Sequence, residues 1–99
     1  MFAITWDRRA RDEVARLGAF DRTRIVDEVE AQLSSEPAKA DGRRKWIDGL
    51  APPWSESVGF WQLAVGPYRV FYDVDQGERM VVVRAVRLKG RRKTAEIVP

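Results

Sequence analysis

Two runs of alternating character meet at Gly66-Pro67, and nothing else in the chain constrains its fold as strongly. Before the pair, residues 58–65 read Val-Gly-Phe-Trp-Gln-Leu-Ala-Val; after it, residues 68–74 read Tyr-Arg-Val-Phe-Tyr-Asp-Val. Both runs are rich in β-branched and aromatic residues, and a two-residue turn with glycine first joins such strands as a hairpin. Asp75-Gln76-Gly77-Glu78 makes a second turn, from which residues 80–88 return as a third strand. Side chains alternate along a strand, so Tyr68, Val70, Tyr72 and Val74 share one face while Arg69, Phe71 and Asp73 share the other. The first set is expected to pack under helices, which leaves Arg69 on an open face.

The N-terminal third supplies the helices. Residues 2–6, Phe-Ala-Ile-Thr-Trp, form a short strand. Asp7 or Thr5 can cap the helix that follows, where Ala10, Val14 and Leu17 fall on one face and Gly18 stops the run. Asp21 is expected to cap a second helix with an inner stripe of Ile25, Val29 and Leu33, and Val26 beside it. Pro37 ends it, because the residue before a proline avoids helical geometry. Residues 36–57, broken by Pro37, Gly42, Gly49, Pro52 and Pro53, read as an irregular crossing anchored by Trp46, Ile47 and Leu50. The expected order is β-α-α-β-β-β over a single domain, residues 1–99. This is a two-layer α+β fold, a mostly antiparallel four-stranded sheet with an αα-hairpin on one face. A chain of 99 residues can bury about two-thirds of its unfolded surface, enough to hold such a core without staples.

Charge is distributed unevenly. Residues 1–36 hold six arginines and eight acids, net −2, whereas residues 37–99 hold twelve cations and seven acids, net +5. Residues 84–93 alone carry Arg84, Arg87, Lys89, Arg91, Arg92 and Lys93 and no acid, and Arg43-Arg44-Lys45 forms a second cluster. A positive field confined to one half points to an anionic partner there. Two absences narrow the chemistry. Without cysteine there are no disulfides, zinc ribbons or thiol nucleophiles; without histidine there are no Ser-His triads and no imidazole acid–base catalysis. No metal or cofactor is expected. Charge begins at position 7 with no apolar stretch before it, and no run approaches the ~20 residues of a membrane span. A cytoplasmic protein with no membrane association is therefore expected.

The hairpin Trp61-Gln62-Leu63-Ala64-Val65-Gly66-Pro67-Tyr68-Arg69-Val70-Phe71-Tyr72-Asp73-Val74, the valine-rich run Val81 to Val86 and the basic exit Arg87-Leu88-Lys89-Gly90-Arg91-Arg92 together resemble the RelE/ParE superfamily of bacterial toxins from toxin–antitoxin operons. The N-terminal strand, the two helices and residues 42–50 fit the same layout, so the resemblance covers nearly the whole chain. It implies a toxin silenced by a cognate antitoxin, with operator DNA reached only through that partner. RelE-like members cut mRNA on the ribosome without a metal; ParE-like members share the fold and poison DNA gyrase. In the RelE-like branch the arginine of the Tyr-Arg pair contacts the scissile phosphate, a position held here by Arg69. A cation at the exit of the last strand stabilises the transition state, which by register is Lys89. The ribosome-dependent pattern also has two lysines on the first hairpin strand and a tyrosine near the C-terminus. This sequence has Gln62 and Ala64 at the first positions and no tyrosine after Tyr72.

Metal-free RNA cleavage needs a base for the 2′-hydroxyl, cations around the pentacovalent phosphate and an acid for the leaving 5′-oxygen. Arginine suits the second task, because a planar guanidinium meets phosphate oxygens in pairs and does not give up its proton. Arg69 and Lys89 are thus the expected catalytic residues, with Lys89 the candidate base. Arg87, Arg91, Arg92, Lys93, Arg43, Arg44 and Lys45 are the expected RNA- or phosphate-binding residues. Each has a structural alternative: Arg69 can pair with Asp73 on its own face, and the cationic segment can be a solvated edge or the antitoxin's docking surface. Trp46, Trp54 and Trp61 can stack bases or fill the core. Three functions remain open at this point: an mRNA-cleaving toxin, a gyrase inhibitor, and a binding module acting through its antitoxin.

Overall fold

Strand pairing follows the alternation and extends it. The structure, a computed structural model, describes residues 1–56 and 58–99. Strands β3 (Phe60–Val65), β4 (Tyr68–Asp75) and β5 (Met80–Leu88) form an antiparallel meander. Gly66 takes φ +55 at the first central position of the β3–β4 turn, a left-handed conformation that costs glycine nothing and suits a primed hairpin turn. Strand β1 (Ala3–Trp6) lies parallel to β5, with Ile4 opposite Val81.

The sheet has five strands rather than four, in the order β1-β5-β4-β3-β2. The additional strand, β2 (Arg44–Ile47), comes from the stretch expected to be irregular and pairs antiparallel with β3, Lys45 opposite Gln62. Its sequence, Arg-Lys-Trp-Ile, has no two-residue hydrophobic period. What makes it a strand is the edge that β3 offers. Residue 57, the last of that stretch, lies outside the described residues. The two-layer, mostly antiparallel α+β architecture stands.

Helices α1 (Arg8–Ala15) and α2 (Ala19–Leu33) cover one face, α1 against β5 and α2 against β3. Asp7 caps α1, its carboxylate accepting from the Ala10 amide at 3.0 Å. Gly18, not Asp21, is the N-cap of α2, and the Asp21 carboxylate instead accepts from the Tyr68 hydroxyl at 2.8 Å. Ala10, Val14, Ile25, Val29 and Leu33 bury against Leu63, Val70, Tyr72 and Val83, which is the core expected from the two periodicities.

The opposite face is only partly open. Phe71 is fully buried there, in a second core with Phe60, Ile47, Ala85 and Ile97. Leu50 and Trp54 from the crossing, and Val98 beyond the C-terminal turn α3 (Thr94–Ile97), close over it. The sheet is thus sealed at its distal half and exposed at the half that carries Arg69.

Candidate nucleic-acid cleft

The exposed half of that face forms a cleft of about 440 Å³. Register explains its floor. Cross-strand partners share a face, so Lys45 and Gln62 lie side by side, and Ala64 lies beside Arg69. Ala64, with its single methyl group, lines the cleft together with Arg43 and Arg69. The last wall comes from the chain after β5. The Lys89 amide bonds the Pro67 carbonyl at 2.9 Å, and the Arg92 amide returns to the Lys89 carbonyl at 3.0 Å. Gly90 sits between them at φ +54, which a residue with a Cβ adopts only under strain. This reversal brings Lys93 and Thr94 back over the sheet, where they line the cleft with Lys89.

Five expected residues therefore converge: Arg69, Lys89, Lys93, Arg43 and Lys45. Arg69 does not pair with Asp73. Its Nη1 donates to the carbonyls of Gly66 at 2.9 Å and Tyr68 at 2.7 Å, which anchor the guanidinium on the turn without neutralising it. Asp73 pairs instead with Arg84 at 3.0 Å, and Arg84 also reaches Asp7 at 3.5 Å. Among the described residues, no carboxylate pairs with Arg69, Lys45, Lys89 or Lys93. Arg43 is held by Glu28 at 2.7 Å.

Four expected phosphate ligands do not line the cleft. Arg44 has a side chain only 11% exposed; it donates to the Gln32 carbonyl at 2.5 Å and pairs with Asp41 at 2.6 Å, tying β2 to α2. Arg87 is opposite Arg69 by register, yet its Nε turns to Glu13, 2.9 Å away. Glu13 also accepts the Val86 amide at 3.0 Å, on the edge that β1 leaves uncovered beyond Val83. Arg92 donates to the Leu88 carbonyl, and Arg91 is exposed outside the cleft. A count of cations along the sequence does not reveal which carboxylates will claim them.

The other chemistry in and around the cleft is limited. Asp41 is its one carboxylate. The amides of Arg44 and Arg43 bond its oxygens and hold its pKa at about 2, so it stays an anion. Both tyrosines point to the helical side. Tyr68 is shifted up by its bond to Asp21, and Tyr72, whose hydroxyl donates to the Pro37 carbonyl at 2.6 Å, is pushed up by burial. The three tryptophans weighed for base stacking each contact other rings. Trp54 packs on Phe60 and Phe71, Trp61 stacks on Tyr72, and half-exposed Trp46 lies edge-on to Trp61. Two polar residues that were not among the expected site residues line the cleft: Gln62, 6% exposed in its floor, and Thr94, whose hydroxyl donates to Gln62 Oε1 at 3.1 Å. No local pattern joins residues 32 positions apart.

Several solved structures share this fold. The toxin–antitoxin complex RelBE2 from Mycobacterium tuberculosis is 24% identical, with a TM-score of 0.66 over 86% of this chain and 94% of that one. The archaeal RelE–RelB complex from Pyrococcus horikoshii OT3 is 15% identical, with a TM-score of 0.69 over 91% and 97%. Isolated RelE toxin from E. coli is 19% identical, with a TM-score of 0.58 over 97% and 92%. No curated protein matches the chain. The family model described as the ParE toxin of the type II toxin–antitoxin system parDE matches residues 4–92. A match that takes in the helix pair, the basic exit and all of the sheet but Ala3 makes this chain a toxin of the RelE/ParE superfamily, belonging to the ParE toxin family of type II toxin–antitoxin systems.

Proposed function

We propose that this toxin arrests translation by cutting mRNA in the cationic cleft, on the ribosome, without a metal. The observation that carries the reading is the convergence there of Arg69, Lys45, Lys89 and Lys93 with no carboxylate among the described residues paired to them. Unneutralised cations held around a small space suit a phosphodiester whose charge grows in the transition state. Arg69, anchored by two carbonyls, keeps its remaining N–H groups for the non-bridging oxygens. Lys89, an unpaired cation, stabilises the charge on the pentacovalent phosphate, and water takes the 2′-hydroxyl proton as O2′ attacks phosphorus. The P–O5′ bond breaks, water protonates O5′, and a 2′,3′-cyclic phosphate is left. Lys45, Lys93 and Arg43 hold the flanking backbone.

The cognate antitoxin is the partner that silences the site, a role supported by the antitoxin-bound state of related folds. An acidic antitoxin segment laid over the cleft would neutralise the same cations that hold RNA. Operator DNA is reached through the antitoxin, and the toxin acts in the cytoplasm.

A second reading has its own support. Both tyrosines lie away from the cleft, Asp41 is held as an anion, and the matching family model is that of the ParE toxin. On that reading the toxin binds DNA gyrase and cleaves nothing. Mapping new 5′ ends on an mRNA in a translating extract separates the two. Cuts in the coding region that vanish with Arg69→Ala support the nuclease. Growth arrest without cuts, accompanied by loss of gyrase supercoiling activity, supports the inhibitor. Neither cuts nor arrest leaves a binding module that works through its antitoxin.

A further inference from the structure

Gln62 is the one buried polar or charged residue among those described, and it lies in the floor of a cleft whose other polar groups are mostly cations. A buried amide is costly unless its groups are bonded. One half of it is satisfied: Oε1 accepts the Thr94 hydroxyl at 3.1 Å. The other half is not. Nε2 finds no acceptor among the described residues, and it is absent from the unpartnered atoms sealed from solvent, so it opens on the cleft. The Thr94 bond pins the amide in this position on the floor of the cleft. With Oε1 held under Thr94, the side presented to a ligand is a pair of N–H donors. With the amide reversed, it would be a carbonyl oxygen, which repels an anion.

We propose that Gln62 is a further RNA-binding residue of the cleft, donating from Nε2 to a backbone phosphate oxygen, and that Thr94 is the positioning residue that holds its side chain in place on the cleft floor. This rests on the RNA reading of the cleft and adds to it a neutral, directional contact among the cations. It also gives the C-terminal turn a function. Ile97 and Val98 pack into the second core, and that packing seats Thr94 on Gln62.

The test is the affinity of a short single-stranded 2′-O-methyl RNA, which the toxin cannot cleave, for six forms of the full chain. These are the wild type, Arg69→Ala, Gln62→Leu, Thr94→Val, Thr94→Ser and the Gln62→Leu/Thr94→Val double variant, each checked for folding by its thermal transition. Loss of a hydrogen bond to a charged acceptor predicts weakening of about tenfold or more for Gln62→Leu. Thr94→Val weakens binding severalfold, Thr94→Ser restores it, and in the double variant the Thr94 change adds nothing further. Wild-type affinity in Gln62→Leu overturns the proposal. So does an equal Thr94→Val loss with and without Gln62, since Thr94 would then act through the packing of the tail. If Gln62→Leu does not fold, the Thr94→Val and Thr94→Ser pair decides: loss without rescue by serine overturns the positioning role. Affinity lost in Arg69→Ala but kept in the Gln62 and Thr94 variants removes this proposal and leaves the RNA reading. A wild type that does not bind RNA removes both.

Discussion

Arg44 and Lys45 are neighbours of like charge with opposite duties, because a strand sends adjacent side chains to opposite faces. Arg44 goes to the helical side and bonds the Gln32 carbonyl; Lys45 goes to the cleft. Arg44→Ala therefore strands a carbonyl and should cost about 1–3 kcal/mol of stability, read from the midpoint of denaturant unfolding. Lys45→Ala should leave that midpoint unchanged and weaken RNA binding instead. Asp41 carries the pH dependence of the same corner. Its pKa falls from an ordinary 3.8 to about 2 in the fold. A lowered carboxylate contributes stability that is complete above the higher value and is lost as pH falls through the lower one. The protection factors of the Arg43 and Arg44 amides, taken against the intrinsic exchange rate at each pH, should accordingly fall between about pH 4 and pH 2. Asp41→Asn should show that lowered protection at neutral pH. Protection that persists at pH 2 would contradict this account of the loop.

Among the elements, the short C-terminal turn α3 has the greatest leverage on the cleft. Lys93 and Thr94 line it where the chain turns back after Gly90, and Ile97 is buried just beyond them. Ile97→Ala should cost about 2 kcal/mol or more in stability and also weaken RNA binding, although Ile97 is buried in the second core. Gly90→Ala should cost about 1 kcal/mol, because the residue sits at φ +54, and should turn Lys93 from the cleft. Strands β3, β4 and β5 were legible in the sequence because alternation and turn chemistry are local signals. Strand β2 was not, since an edge partner rather than its own pattern makes it a strand. The buried state of Phe71 was hidden for a similar reason. Its cover comes from Trp54 and Ile97, far along the chain in both directions. The same limit applies to the site. Cationic residues were visible, but the carboxylates that withdraw Arg84 and Arg87 lie far along the chain, and the carbonyl that Arg44 bonds belongs to α2.

At the scale of the whole molecule, the helices and the first core make one face of the sheet rigid, and the second core seals half of the other. What remains is a positive concavity. Its cations come from the crossing, the hairpin and the tail, so the charge asymmetry of the sequence becomes one surface only after folding. The central claim is that this surface engages phosphates through unneutralised cations. Its most direct test is the salt dependence of binding to the 2′-O-methyl RNA. With four unpaired cations engaged, the logarithm of affinity should fall with the logarithm of salt at a slope of about −3. The Arg69→Ala/Lys89→Ala double variant should be shallower by about 1.4, and Arg87→Ala, whose charge is already paired with Glu13, should match the wild type. A flat wild-type slope, or one that the double variant leaves unchanged, would contradict the cleft as the site of nucleic-acid contact.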